Sequence, residues 1–194
     1  IPDNVYTSLK SSRVTDVHIF GRRSPSEVKF TPLELRELGE LRGLDIVLHE
    51  EDFSQGVVDE PRESSSKQLA VIERIFSDWR KRGIGSASRR IHFHFFAQPV
   101  EVLGSETVEG LRYVRTRTTP TGTVLPGETR EQEVQAVYRA VGYFGSPIPE
   151  LPFDSEKGVI PNERGAVLDQ GHRIVPGVFV TGWIKRGPGG LIGH

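Results

Sequence analysis

The chain has 194 residues, of which 36% are hydrophobic and 26% are charged, with a formal net charge of −1. This composition is typical of a soluble globular protein and provides no overall field that would attract nucleic acid or a membrane surface. Cysteine is absent, which excludes disulfides, thiolate catalysis and cysteine-based metal sites. No apolar run approaches the roughly 18–20 residues of a transmembrane helix, and no signal peptide is visible. We therefore expect a cytoplasmic protein with no membrane span and no nucleic-acid partner.

The first ninety or so residues alternate helical and strand patterns. The predicted elements are a weak helix over 5–12, a strand over 14–20, a helix from 32 to about 43, a strand over 44–48, a loop over 50–66 and a helix over 66–82. The second helix is the best marked, because Thr31 is a good N-cap, Pro32 fits the first helical position and Glu34 completes a capping box. A strand, a helix and a strand in this order predict a parallel pair with a right-handed crossover.

Strand patterns dominate from residue 90 onward. Strands are predicted over 90–96, 99–103, 107–118 and 134–141, with a hairpin loop over 119–130, a small hairpin within 158–167 and a last strand over 178–180. The layout is therefore α/β first, then a β-rich insertion at about 90–142, then a return strand.

That return strand leads into a glycine-rich stretch from Gly182 to Gly193, with five glycines and one proline in twelve residues. Glycine lets backbone N–H groups approach a ligand closely. A glycine-rich turn after a strand is a ready site for anions. The stretch is therefore a candidate binding segment.

Two arginines, Arg22 and Arg23, follow the predicted strand over 14–20, which corresponds to the second strand of a Rossmann-type sheet. At that position an acidic side chain holds the ribose of NAD, whereas arginine accommodates the 2′-phosphate of NADP. No acidic residue stands beside them, which favours NADP. The alternative is that both are solvated surface arginines.

Three further features have plain structural interpretations. Glu34 is explained fully by the capping box. His92 and His94 share one face of a predicted strand, but no third ligand is suggested by spacing, so we predict no metal site. The basic residues Arg80–Arg82 and Arg89–Arg90 suit helix-end solvation, and the alternative is docking of an acidic protein.

Four motifs together resemble adrenodoxin reductase and the bacterial ferredoxin–NADP reductases of the same type, which are flavoproteins with two dinucleotide-binding domains. The motifs are Gly21–Pro25, Phe30–Leu38, Val141–Tyr143 and Gly182–Pro188. The resemblance implies a three-layer Rossmann-like NADP-binding domain with a β-rich insertion. It implies a partial NADP domain over 1–150 and a return segment toward the FAD domain over 151–194.

The same resemblance implies roles for seven residues, all in cofactor binding and none in catalysis or metal binding. They are Arg22, Arg23 and Glu34 for NADP, Gly190 for both NADP and FAD, and Trp183, Leu191 and Ile192 for FAD. The implied chemistry is hydride transfer from NADPH to FAD, followed by electron transfer to a ferredoxin or an adrenodoxin-like iron–sulfur protein.

The sequence departs from the family pattern at Ser24 and Gly189, where the family usually has glycine and threonine or valine. The glycine-rich turns of both dinucleotide domains are not in the sequence, so we expect a portion of a reductase that is inactive alone. Two alternatives are a non-catalytic protein-binding module of the same fold and another flavoprotein such as a glutamate synthase small subunit. The match over Trp183–Pro188 weakens the alternative of another flavoprotein.

Overall fold

The computed structural model describes residues 1–28, 30–54, 67–119, 124–142 and 144–187. The chain forms two compact units, Ile1–Val137 and Tyr138–His194. The first contains α1 (Asp3–Lys10), β1 (Asp16–Phe20), α2 (Pro32–Gly39), β2 (Leu44–Leu48), α3 (Lys67–Arg82), β3 (Arg89–His94), β4 (Ala97–Leu103), β5 (Gly110–Thr118) and β6 (Val124–Glu133). The second contains β7 (Asn162–Glu163), β8 (Ala166–Leu168), β9 (Ile174–Phe179) and α4 (Trp183–Arg186). The predicted assignment of 1–150 and 151–194 to two roles stays a prediction.

A parallel three-stranded sheet in the order β1-β3-β2 forms the centre of the first unit. β3 pairs with β1 from Asp16↔Arg90 to Phe20↔His94 and with β2 on its other side. The parallel arrangement is therefore confirmed, but the expected direct pairing of β1 with β2 is wrong, because β3 lies between them. The carboxyl ends of all three strands meet at one edge of the sheet.

One face of this sheet is covered by α2 and α3. Leu35 of α2 and Ile72, Phe76 and Trp79 of α3 pack against Phe93 of β3, and each of these side chains is at most 7% exposed. The predicted helical spacing of α3 is confirmed. Gly39 of α2 allows the two helices to approach closely, because a Cβ there would lie 2.8 Å from Trp79 Nε1.

The opposite face of the sheet carries a cluster of histidines. Strand alternation places His18 of β1 beside His92 of β3, and Phe20 beside His94. His49 directly follows β2, and its ring stacks on His94 with centroids 4.6 Å apart. The predicted alternation of histidine and phenylalanine along β3 is confirmed.

An antiparallel sheet in the order β4-β5-β6 follows the parallel sheet and forms the β-rich insertion. The predicted bounds of about 90–142 are wrong, because β3 belongs to the parallel sheet, so the strands of the insertion run from Ala97 to Glu133. The predicted strand over 134–141 is wrong, since the last strand of this sheet is Val124–Glu133. The predicted hairpin loop over 119–130 is wrong from residue 124 onward. Pro126 and Gly127 suggested a loop, but an edge strand tolerates proline, and a Cβ at Gly127 would lie 2.9 Å from the carbonyl oxygen of Arg115.

The second unit contains a small antiparallel sheet in the order β7-β8-β9. Its β7–β8 hairpin lies where a small hairpin was predicted. The last strand begins at Ile174, earlier than the predicted start at residue 178, and ends at Phe179. Across the described ranges, the structure has no helix with the length and hydropathy needed to cross a membrane.

Candidate functional site

The candidate NADP-binding residues Arg22 and Arg23 lie on a turn that follows β1 at the carboxyl edge of the parallel sheet. Both side chains are exposed. The Gly21 N–H extends the parallel pairing by donating to the carbonyl of His94 over 2.8 Å. Strand β1 thus determines where the turn begins. We call Gly21–Ser24 the arginine turn.

Each carbonyl group of the three residues Gly21, Arg22 and Arg23 accepts a hydrogen bond from a different donor. The Ala97 N–H donates to Gly21 over 2.9 Å, and the Phe96 N–H donates to Arg23 over 3.0 Å. The Thr116 hydroxyl donates to Arg22 over 3.0 Å. The backbone of the arginine turn is therefore fixed from the β3–β4 corner and from β5, which leaves the two guanidinium groups at the surface.

A short 3-10 turn, Pro25–Glu27, follows the arginine turn. Ser24 donates from its hydroxyl to Glu27 Oε2 over 2.9 Å and from its backbone N–H to the same oxygen over 3.3 Å. The other carboxylate oxygen of Glu27 lies 3.8 Å from Arg23 Nη1. The hydroxyl of Ser24, which glycine would lack, thus adds a hydrogen bond to Glu27 at the end of the arginine turn.

Glu34 makes the capping contacts that the sequence predicts. The Thr31 N–H donates to Glu34 Oε2 over 2.8 Å, and the Glu34 N–H donates to Thr31 Oγ1 over 3.2 Å. The capping box at the start of α2 is therefore confirmed. A contact of Glu34 with NADP stays a prediction.

Trp183 is the first residue of α4 in the second unit, and 45% of its surface is exposed. Gly182 precedes it with φ +74°, a conformation that favours glycine. Asn162 anchors this short helix, because its side-chain amide donates to the carbonyls of Lys185 and Ile160 over 2.8 Å and 2.9 Å. Sequence reasoning missed Asn162. The predicted FAD-contacting residues Gly190, Leu191 and Ile192 lie outside the described residues.

The histidine cluster has unusual electrostatics because much of it is buried. His94 is 6% exposed, and burial, together with the nearby His49 and His18, lowers its pKa to about 3. Burial also lowers the pKa of His18 and of His49. His18 Nδ1 lies 2.9 Å from His94 Nε2, so one neutral ring donates to the other. Burial therefore favours the uncharged form of His18, His49 and His94 at neutral pH.

Metal binding finds no support in this cluster. Within the described ranges, no group of three or more histidine, aspartate or glutamate side chains has an arrangement that could hold a metal ion. His92 instead bonds Asp16 Oδ1 over 2.8 Å through Nε2, and this bond lowers the pKa of Asp16. A cavity of about 520 Å³ in the second unit contains none of the predicted site residues; it is lined by Glu150, Leu151, Pro152, Asp169, Gln170, Gly171 and Arg173.

Two of the basic residues singled out from the sequence, Arg80 at the end of α3 and Arg89 at the start of β3, make contacts within the chain. The Arg80 guanidinium donates to Glu50 over 2.7 Å and lies 4.7 Å from the centre of the Phe53 ring. Arg89 donates to the carbonyl of Ser12 over 3.3 Å. Arg80 and Arg89 therefore have structural roles in the first unit.

Comparison with known proteins identifies homologues that span the whole chain. The chain is 36% identical over 198 residues to NADPH-ferredoxin reductase FprA of Mycobacterium tuberculosis, covering 100% of the chain and 42% of the relative. It is 32% identical to the mitochondrial NADPH:adrenodoxin oxidoreductase of Arabidopsis thaliana, covering 99% of the chain and 43% of the relative. No protein-family model matches the chain.

A solved structure of Mycobacterium tuberculosis FprA in complex with NADPH superposes on the chain with a TM-score of 0.86 and 37% identity. The superposition covers 100% of this chain and 42% of the solved chain. The resemblance to adrenodoxin reductase and the bacterial ferredoxin–NADP reductases of that type is thereby confirmed, and so is the Rossmann-like α/β fold with its β-rich insertion. The chain spans about two fifths of the length of these relatives.

Proposed function

We propose that this chain, a homologue of part of the NADPH–ferredoxin and adrenodoxin reductases, is the NADP-binding part of a FAD-dependent reductase of that type. The complete reductase would pass hydride from NADPH to FAD and then electrons to a ferredoxin or an adrenodoxin-like iron–sulfur protein. This activity requires a FAD-binding domain in addition to the segment matched here. We expect the protein to act in the cytoplasm, with residues 1–150 serving NADP and residues 151–194 returning to the FAD domain.

The observation that carries the proposal is the arginine turn. Arg22 and Arg23 are exposed, adjacent and mounted on a backbone whose three carbonyls are all hydrogen-bonded. A guanidinium group donates two parallel charge-assisted bonds to a phosphate. Ligands of open α/β sheets bind at the carboxyl edge of the strands, which is where this turn lies. These residues fit the 2′-phosphate that distinguishes NADP from NAD.

Glu34 is proposed to contact NADP from the start of α2. Its capping role is compatible with this, because a carboxylate has about four acceptor positions and the Thr31 N–H occupies one of them. The peptide N–H groups at the first turn of a helix also favour a negatively charged ligand nearby.

For FAD, we propose contacts from the exposed indole of Trp183 and from the backbone of Gly190, Leu191 and Ile192, with Gly190 also near NADP. Trp183 has the required exposure and stands on a helix anchored by Asn162. FAD would supply the capacity to accept hydride and release single electrons. The residues of this chain would bind and orient the two cofactors.

The alternative of a protein-binding module receives less support. It relies on a basic surface at Arg80–Arg82 and Arg89–Arg90, but Arg80 is engaged with Glu50 and Phe53, and Arg89 is engaged with Ser12. A reductase also accounts for the motif over Trp183–Pro188, which a docking module would not need.

The test is the coenzyme preference of the full-length protein carrying both Arg22→Ala and Arg23→Ala. Hydrogen bonds to charged groups contribute about 1.5–3 kcal/mol each, so loss of two should reduce kcat/KM for NADPH by roughly a hundredfold or more. The kcat/KM for NADH should change little, since NADH has no 2′-phosphate. Steady-state reduction of an artificial dye measures kcat/KM for each coenzyme.

The matched control replaces Arg13 and Arg42 with alanine. Both are exposed and lie shortly before β1 and β2, at the amino edge of the sheet opposite the arginine turn. This control should retain the NADPH preference. An unchanged preference for NADPH in the Arg22/Arg23 variant would overturn the assignment of these arginines to the 2′-phosphate. Absence of flavin absorbance in the full-length protein would overturn the proposed reductase function.

A further inference from the structure

The arginine turn is held by a structural frame that lies far away in sequence. Its central carbonyl, that of Arg22, accepts from the hydroxyl of Thr116, which lies 94 residues later in β5. The carbonyls on either side accept from backbone N–H groups of Ala97 and Phe96. Thr116 is therefore the one side chain among the three donors to these carbonyls.

Thr116 is built into the fold at a specific point. It is 2% exposed, and its backbone N–H donates to the carbonyl of Phe96 over 2.6 Å. The β5–β6 pairing shifts register between Val114 and Thr116. Irregularities of this kind re-aim a side chain in a sheet. The shift thus accompanies a threonine whose hydroxyl reaches the arginine turn.

Phe96, at the β3–β4 corner, has an uncommon backbone conformation. Its φ is +50°, although it is not glycine, and its side chain is 2% exposed. Such outliers persist only where the surrounding structure over-determines them. In this conformation the N–H of Phe96 bonds Arg23 while its carbonyl bonds Thr116. The corner therefore links the arginine turn directly to β5.

The corner is itself braced by a buried ion pair. Asp52 is fully buried, accepts from the Phe95 N–H over 2.8 Å and pairs with Arg115 over 2.7 Å. Arg115 in turn donates to the Phe95 carbonyl over 2.7 Å. Both polar backbone groups of Phe95 are thus satisfied by one rigid pair. Residues neighbouring Thr116 and Phe96 are therefore held firmly in place.

We propose that Thr116 is a positioning residue that sets coenzyme specificity, because its hydroxyl fixes the backbone from which Arg22 and Arg23 reach the 2′-phosphate. This rests on the proposed function of the arginine turn. Without that bond the turn keeps its arginines but loses its fixed geometry, and a bidentate contact is sensitive to geometry. Thr116 would therefore affect recognition of the 2′-phosphate and leave binding of the rest of the coenzyme unchanged.

The test compares binding of 2′,5′-ADP and 5′-AMP to the full-length protein by calorimetry. In Thr116→Val, which keeps the side-chain shape and removes the donor, the affinity for 2′,5′-ADP should fall about fivefold, as expected for one lost hydrogen bond. The affinity for 5′-AMP should not change. Thr116→Ser restores a hydroxyl donor and should recover the wild-type ratio. Thr129→Val, at an exposed threonine of β6, serves as the matched control.

The outcomes separate the two proposals. A wild-type protein with no preference for 2′,5′-ADP over 5′-AMP would overturn the proposed function of the arginine turn. If the wild type prefers 2′,5′-ADP and Thr116→Val keeps the same preference, only the role of Thr116 is overturned. An equal loss of affinity for 2′,5′-ADP and 5′-AMP in Thr116→Val would have the same consequence. If Thr116→Val does not fold, Thr116→Ser is the test of the role of Thr116. A reduced preference for 2′,5′-ADP over 5′-AMP in that variant would contradict the proposal, because serine keeps the hydroxyl donor.

Discussion

Acidification from pH 7 to pH 5 should destabilise the first unit, and His94 should account for much of the effect. His94 is 6% exposed, stacks on Phe20 with ring centroids 4.5 Å apart and shares a hydrogen bond with His18. That bond needs one unprotonated ring nitrogen as the acceptor. Burial lowers the pKa of His94 to about 3 from an ordinary value of 6.5.

The sign and size of the effect follow from proton linkage. Below pH 6.5 the unfolded chain binds a proton at His94 that the native protein does not bind, so the stability falls as the pH falls. Each pH unit costs about 1.4 kcal/mol in this range, and the loss between pH 7 and pH 5 is about 2 kcal/mol for this one group. It continues until the pH approaches the native pKa of about 3.

The measurement is equilibrium urea unfolding at pH 7 and pH 5 for the wild type and for His94→Gln, which cannot titrate but keeps an amide donor. The variant should show a pH dependence smaller by about 2 kcal/mol. Exposed His172→Asn is the control and should follow the wild type. His18 and His49, whose pKa values burial also lowers, add to the loss in all three proteins. An identical pH dependence in His94→Gln and the wild type would refute the reasoning.

Three substitutions test other contacts by the same unfolding measurement at pH 7. Asp52→Ala should cost about 3–5 kcal/mol, because it leaves Arg115 buried without its counter-ion; a cost typical of a surface position would contradict the buried pair. Gly39→Ala would ordinarily stabilise a helix by about 1 kcal/mol, but a Cβ 2.8 Å from Trp79 Nε1 should make it destabilising, and a stabilised variant would show that this contact is misjudged. Thr31→Ala should cost about 1 kcal/mol through loss of the cap at α2, and the absence of any change would argue against the capping box.

The elements that the sequence predicts best are those specified by local chemistry. Helix α3 shows a regular apolar spacing, and the capping residues Thr31 and Glu34 mark the start of α2. The error at β6 arose because Pro126 and Gly127 are strong loop signals. Their tolerance in a strand depends on β6 lying at the edge of a sheet and passing close to the Arg115 carbonyl. Neither feature can be predicted from the sequence, because both depend on how the strands pair.

In the candidate site, too, some features follow from local sequence and others only from the assembly of the strands. The adjacent arginines after a strand could be selected from sequence, because the reason for choosing arginine is local. The groups that orient them could not be, since Thr116 and Phe96 are brought to the arginine turn by the sheet order and by the β3–β4 corner. The histidine cluster is likewise a product of sheet order, because His18 and His94 are 76 residues apart and meet only when β3 pairs with β1.

This sheet order gives the β-rich insertion a role in holding the arginine turn, and hence in the coenzyme recognition that we propose for that turn. Because β3 pairs directly with β1, the chain leaving β3 turns at the corner beside the end of β1, where the arginine turn begins. The corner and β5 then supply all three hydrogen bonds to the carbonyls of Gly21, Arg22 and Arg23. The arginines project from the α/β part of the fold, but the insertion holds their backbone. Substitution of Thr116 in β5 should therefore alter the proposed coenzyme preference without changing either arginine.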